Sequence, residues 1–336
     1  DYNRYRSEQI WALIRNKMDV TVVGRPTKYG INHHKFAIFD GKMAEYGSYN
    51  WTYTSEKSHY ENVLFSADAG IRFADMFHSF HITELLKGIG SAVERLRFNL
   101  LLHITDARSF IDLHAVNGVL FADIDGNEDQ LDMVLDQGVP AVVMVNYIQE
   151  LPVSCVAVDN RTAAEHVVDY LAKLGHREIA AITGHLRTPC GIDRLDGYLK
   201  AMKARGLEVK PHFVQRGDYT GASAREPAKR LLTHPQRPTA IFAASDEMAV
   251  TVIETALELG LRVPEELSVV GFDDSPIAAF ARVPLTTVWQ PLSRVGEVAV
   301  EILSKLIAGK QRRPVKTLLG TKLVERRSCR QTWLER

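Results

Sequence analysis

No long apolar run interrupts the sequence. The stretch around Val142 to Val145 is among the longest, and it lasts only a few residues, far below the roughly 20 that a membrane helix needs. No secretory signal is visible. Cysteine is scarce: Cys155, Cys190 and Cys329 are an odd, widely spaced set that offers neither a disulfide framework nor a zinc spacing, and a reducing cytoplasm suits it best. Net charge is missing too. Lys+Arg and Asp+Glu stand at 41 each, so no global field selects nucleic acid or a membrane surface as partner. Phosphate contacts would need a local cluster such as Arg15, Lys17, Arg25 and Lys28. There is no low-complexity segment and no internal repeat. The first residue is Asp1 rather than Met, which leaves room for a segment upstream.

What is present is a chain of 336 residues, long enough for two or three domains. From about residue 140 onward, short β-branched runs alternate with amphipathic stretches. The runs are PAVVMV (140–145), IAAITG (179–184), TAIFAAS (239–245) and LSVVGFDD (267–274). Nearly all apolar, they suit strands covered on both faces of a parallel sheet. Between them lie helical stripes: Ala164, Val167, Val168 and Leu171; Leu195, Tyr198, Leu199 and Met202; Leu292, Val295, Ala299, Ile302, Leu303 and Leu306. Gly175, Gly206 and Gly309 stand where each stripe should end. The alternation predicts an α/β fold of doubly wound sheets. Residues 82–96 form a further helical face, followed by strands at 98–103 and 117–124.

The first 80 residues differ in character. A helix over 7–18 precedes short strands in DVTVVG, KFAIFD, MAEYGS and NVLFSA, with a hairpin connection at DGK, 40–42. A domain boundary is placed at residues 78–82 on this change of pattern.

Two stretches carry chemistry. In the first, His33-x-Lys35-x4-Asp40 is followed by Gly47-Ser48-x-Asn50 and by Glu61. On a strand, residues 33 and 35 point to one face, so an imidazole and an ammonium can converge on one phosphate. Taken singly, each is an ordinary surface or core residue. Together they resemble the HKD motif of the phospholipase D superfamily over roughly residues 1–77. The resemblance implies that His33 attacks phosphorus, that Lys35, Ser48 and Asn50 hold the non-bridging oxygens, and that Asp40 and Glu61 orient imidazoles. It requires no metal and no other cofactor. Only one copy of the motif is present, so a complete site implies a dimer in which a second chain supplies the other histidine. Five histidines (His33, His34, His59, His78 and His81) precede residue 82, but their spacings match no standard metal ligand set.

The second stretch is longer. The segments TELLKGIGSAVERLRFNLLL, VDNRTAAEHVVDYLAKLGHREIAAITG, DRLDGYLKAMKARGL, PTAIFAASDEMAVTVIETALELGLRVPEELSVVGFDD and LVERRSC resemble, in order, the effector-binding region of LacI/GalR transcription regulators, which shares its fold with periplasmic sugar-binding proteins. The likeness spans residues 79 to 329. It implies two α/β subdomains clamping a small molecule: one of about 79–158 plus 276–290, the other of about 159–275 plus 291–330. It implies that Arg194 grips the effector, that Asp273 accepts from sugar hydroxyls, that Tyr219 stacks on an apolar ligand face, that Ser245 stands where many relatives carry asparagine, that Gln290 sits at the cleft mouth, and that Cys190 replaces a small polar residue. Taken alone, Asp246 caps a helix and Arg194 is a surface charge. The family's first core strand should precede residue 82, and ENVLFSADA is the segment able to substitute for it. The helix expected between 104 and 116 looks shortened, and no helix-turn-helix for operator DNA is visible.

Two readings follow. One is a dimeric sensor of a sugar-like effector. The other is a phosphodiesterase acting on nucleic acid or phospholipid, with activity that depends on a dimer.

Overall fold

A computed structural model describes residues 80–104, 113–122, 128–149 and 151–332, together with the strand backbone at intervals between 32 and 67. In that earlier part, β1 (Asn32–Lys35) pairs antiparallel with β4 (Gly47–Tyr49). The short strands β2 (Ile38–Phe39) and β3 (Lys42–Met43) also pair antiparallel, with Phe39 opposite Lys42, as the hairpin reading of 40–42 predicts. The helix expected over 7–18 lies outside the described residues.

Strand β5 (Asn62–Ala67) belongs elsewhere. It lies between β6 (Asn99–Ile104) and β7 (Gly118–Phe121), parallel to both. The sheet continues through β8 (Ala141–Met144), β9 (Ser154–Val158) and β15 (Lys316–Leu319), six strands in all. ENVLFSADA therefore supplies a strand of this sheet, and the sheet starts upstream of the boundary placed at residues 78–82. Helix α1 (Phe80–Leu96) connects β5 to β6, and α2 (Glu128–Asp136) connects β7 to β8. Between β6 and β7, residues 113–115 form a single 3-10 turn; residues 105–112 lie outside the description.

A second sheet has the order β11–β10–β12–β13, all parallel. Its strands are β10 (Ile179–Thr183), β11 (Val214–Arg216), β12 (Ala240–Ala243) and β13 (Ser268–Val270). Helices α3 (Asn160–Lys173), α4 (Pro189–Ala204), α5 (Gly221–Thr233) and α6 (Asp246–Glu258) cover it. The short α7 (Pro276–Phe280) and the antiparallel pair β14 (Thr287–Trp289) and β16 (Lys322–Val324) complete this lobe. Gly175, Gly206 and Gly309 all take positive φ just past helix ends, where an L side chain would be strained.

The division into lobes departs from expectation. Helix α8 (Leu292–Ile307) buries Val295, Ala299 and Leu303 against Ile82, Leu85 and Ile89 of α1 and against the first sheet. Residues 276–290 instead pack with the second sheet through Ala278, Leu285 and Val288. The two C-terminal assignments are thus exchanged: 276–290 belongs to the second lobe, and 292–319 to the first. An amphipathic stripe requires an apolar partner but does not specify which sheet provides it.

At the far end of the second lobe, His176 is buried between the Thr239 and Ser268 hydroxyls, 2.9 Å from each. Burial pulls its pKa down to about 4, so it serves as a neutral peg that fixes the end of the chain near Arg330.

Candidate functional site

Open α/β sheets bind ligands beyond the carboxyl ends of their strands, where the strand order reverses. Here both sheets reverse in that way. In the first, β6 and β7 flank β5, so the start of α1 lies at the carboxyl edge. In the second, β11 and β12 flank β10. The turns after β10, β11, β12 and β13 carry Thr188, Tyr219, Ser245, and Phe272 and Asp273 respectively, with Cys190 and Asp246 in the first turns of the helices that follow β10 and β12.

Arg194, one turn into α4, is buried. Its Nε donates to Asn160 Oδ1 at 2.8 Å, Nη1 donates to the Ala244 carbonyl, and the guanidinium lies 3.6 Å from the centroid of Phe272. The Tyr219 ring centroid is 5.7 Å from the same guanidinium. A buried cation held flat by an aromatic face and two neutral acceptors is pre-organised, with guanidinium donors to spare for a ligand. Tyr219 is itself fixed. Its backbone takes φ +77, its hydroxyl lies 3.0 Å from Thr188 Oγ1 and 3.1 Å from Cys190 Sγ, and burial pushes its phenol pKa up. The ring passes so close over Gly184 that a Cβ there would fall 2.0 Å from it.

Asp273 forms the other half of the cluster. It is buried, at φ +127, and its Oδ1 accepts from Gln290 Nε2 at 2.8 Å and His81 Nε2 at 3.0 Å. The second contact spans the two lobes, because His81 is the second residue of α1. Beneath it, Asp246 accepts from the Ser275 N–H and hydroxyl at 2.7 and 2.9 Å and from the Thr287 hydroxyl. Burial, and then the neighbouring Asp273 charge, push Asp246 up to about 7. A groove of about 490 Å³ adjoins the cluster, lined by Phe80, Asp274 and Trp289, the chain neighbours of His81, Asp273 and Gln290.

Of the predicted ligand residues, Arg194, Tyr219, Cys190, Asp273 and Gln290 converge here. Ser245 does so only indirectly: its hydroxyl donates to the Tyr219 carbonyl at 2.6 Å and caps α6 at Met248 N. Asp246 is the first helical residue rather than the cap, which corrects its reading as one. Sequence reasoning overlooked Asn160, Phe272 and His81. Phe272 sits inside the quoted GFDD and Asn160 inside VDNR, so a signal was present for both; His81 offered none beyond being one of five early histidines. Of the phosphodiesterase residues, His33 and Lys35 lie on β1 and Ser48 on β4, with Lys35 opposite Gly47. Asp40, Asn50 and Glu61 lie outside the described residues.

Comparison with known proteins gives two separate similarities. Residues 168–329 match the family described as periplasmic binding protein-like domain, and residues 2–80 match that described as cardiolipin synthase, PLD-like domain. Catabolite control protein A of Priestia megaterium is 32% identical over 245 residues, covering 70% of this chain and 74% of its own. The HTH-type transcriptional regulator CelR of Thermobifida fusca is 33% identical over 267 residues, covering 76% and 77%. Among solved structures, a transcriptional regulator CelR–cellobiose complex superposes with a TM-score of 0.72 at 29% identity, covering 82% of this chain and 88% of that one.

Proposed function

We propose that this chain, which belongs to the LacI family of transcriptional regulators, acts as that family's sensor and clamps a small polyhydroxylated effector between its lobes. The observation that carries this reading is the buried Arg194 guanidinium, stacked on Phe272 and near the Tyr219 ring, with the buried Asp273 carboxylate next along the chain from Phe272. An aromatic face, a fork of donors and a carboxylate match the apolar face and hydroxyl edge of a sugar ring. Regulation of DNA would require a reading element beyond the described residues. A homodimer is the natural assembly: Phe280 is 88% exposed, beside the half-exposed Ile277, and together they form an apolar patch. All three cysteines are free, which suits a reducing cytoplasm. Among the described residues no helix is long and apolar enough to cross a membrane.

The test is a thermal-shift screen of mono- and disaccharides, cellobiose included, and nucleosides. A true effector at a hundred times its Kd should stabilise by about 2.7 kcal/mol, or roughly 4 °C for a chain of this size. A flat response across the whole panel would sink the reading.

A second reading rests on the PLD-like match at residues 2–80: metal-independent hydrolysis of a phosphodiester, lipid or nucleic acid, by His33 paired across a dimer. Cleavage of a chromogenic diester in chelator is then expected from the wild type and not from His33→Ala. Equal rates in both would refute it.

A further inference from the structure

The oxygen that an effector hydroxyl would approach is already occupied. His81 from the first lobe and Gln290 both donate to Oδ1 of Asp273. The Gln290 amide nitrogen also lies 3.3 Å from His81 Nε2; because an ionised carboxylate can only accept, the contact with Asp273 assigns a hydrogen to Nε2 in either protonation state of the ring. What protonation changes is the charge: an imidazolium makes a charge-assisted bond to the carboxylate, a neutral imidazole an ordinary one. We propose that His81 is a proton-operated latch that holds the two lobes together over Asp273 in the effector-free protein, and that hydroxylated effectors compete with it for that carboxylate. This rests on the reading of Asp273 as an effector acceptor.

The charges facing His81 come from four elements. Asp273, following β13, and Asp246, at the start of α6, favour the proton. Arg194, on α4, opposes it, as does the positive end of α1, on which His81 itself sits. Burial in the cleft is the largest single influence and also opposes it, although 37% of the side chain remains open. Asp273, acting through its charge and its hydrogen bond, nevertheless leaves the pKa raised above the ordinary 6.5.

The sign follows. A group whose pKa is raised in the latched state contributes fully below pH 6.5, and its contribution fades as pH climbs through the raised value. The closed-to-open ratio therefore falls with rising pH, by at most about tenfold per pH unit for one proton. Effector binding releases the proton, so affinity rises over the same interval.

The experiment uses the full chain without effector, so failure of the sugar screen leaves it intact. Histidine-labelled NMR should show one imidazole titrating above pH 6.5 that vanishes in His81→Gln. Small-angle scattering of the wild type should show a larger radius of gyration at pH 8.5 than at pH 6. His81→Gln, checked for folding by thermal melting, should match the pH 8.5 profile at both values. His81→Lys, cationic throughout, should stay compact at both. An imidazole pKa at or below 6.5, or identical wild-type scattering at the two pH values, would overturn the latch. So would a His81→Gln protein that keeps the wild-type pH response, since Asp246 would then be the titrating group.

Discussion

Replacing Gly88 with leucine is expected to cost about 3–5 kcal/mol of stability, enough to loosen or unfold the first lobe. The cause is the crossing of α1 and α8. A Cβ on Gly88 would lie 1.7 Å from the Ser293 carbonyl oxygen, and one on Gly296 would lie 2.5 Å from that of Leu85. In both cases the obstacle is backbone, which cannot swing aside, so the helices would have to separate. That separation would open the contacts of Leu85 and Ile89 with Val295 and Ala299, side chains that are fully or almost fully buried; the three larger ones are worth roughly 1.5–3 kcal/mol each when fully buried. Gly90 provides the control: it is on the same helix, with nothing within 4 Å of its Cβ position. Gly90→Ala should be neutral or stabilising by up to about 1 kcal/mol through helix propensity. Urea midpoints of the two variants decide the matter. Similar losses in both would mean that the crossing is not as tight as described.

Arg194→Ala should abolish effector binding, weakening it by about a hundredfold or more, or roughly 3 kcal/mol. The guanidinium does three things at once: it stacks on Phe272, bonds Asn160 at the start of α3, and bonds the Ala244 carbonyl at the end of β12. Arg194→Lys tests whether charge alone suffices. An ammonium can satisfy one acceptor but cannot lie flat on Phe272 while forking to two, so the lysine variant should regain little of the lost affinity. The readout is titration of the sugar that gives the largest thermal shift in the screen. Near-wild-type affinity in Arg194→Lys would reduce the site to simple electrostatics and remove the case for a shaped fork.

Much of the fold could be read locally. Runs such as AVVM and SCVAV are buried throughout, and apolar content of that kind marks a strand sheltered on both faces. Helix ends were equally legible, because Gly175, Gly206 and Gly309 need the positive φ they adopt. Lobe membership was not legible. The stripe on α8 would fit either sheet, and only its tertiary partner α1 decides. The site divides differently. Arg194, Tyr219 and Asp273 were expected through the family resemblance of their segments rather than through any local pattern. His81 reaches Asp273 across 192 residues of chain, and no local pattern encodes such a contact.

The exchange of segments between the lobes also bears on how the chain is made. Among the described residues it passes from one lobe to the other near residue 159, returns near 291, and crosses again near 320. On a ribosome, which delivers the chain from its N-terminus, β5 to β9 emerge long before α8, the helix that roofs them. The part of their apolar face that α8 covers, together with the facing side of α1, must wait uncovered while the whole of the 159–290 segment is synthesised. At roughly 5–20 residues per second that wait lasts many seconds, far longer than small domains usually take to collapse. Strands β5 to β9 are therefore natural clients for a chaperone, and a nascent chain cut short before α8 is the species most prone to aggregate.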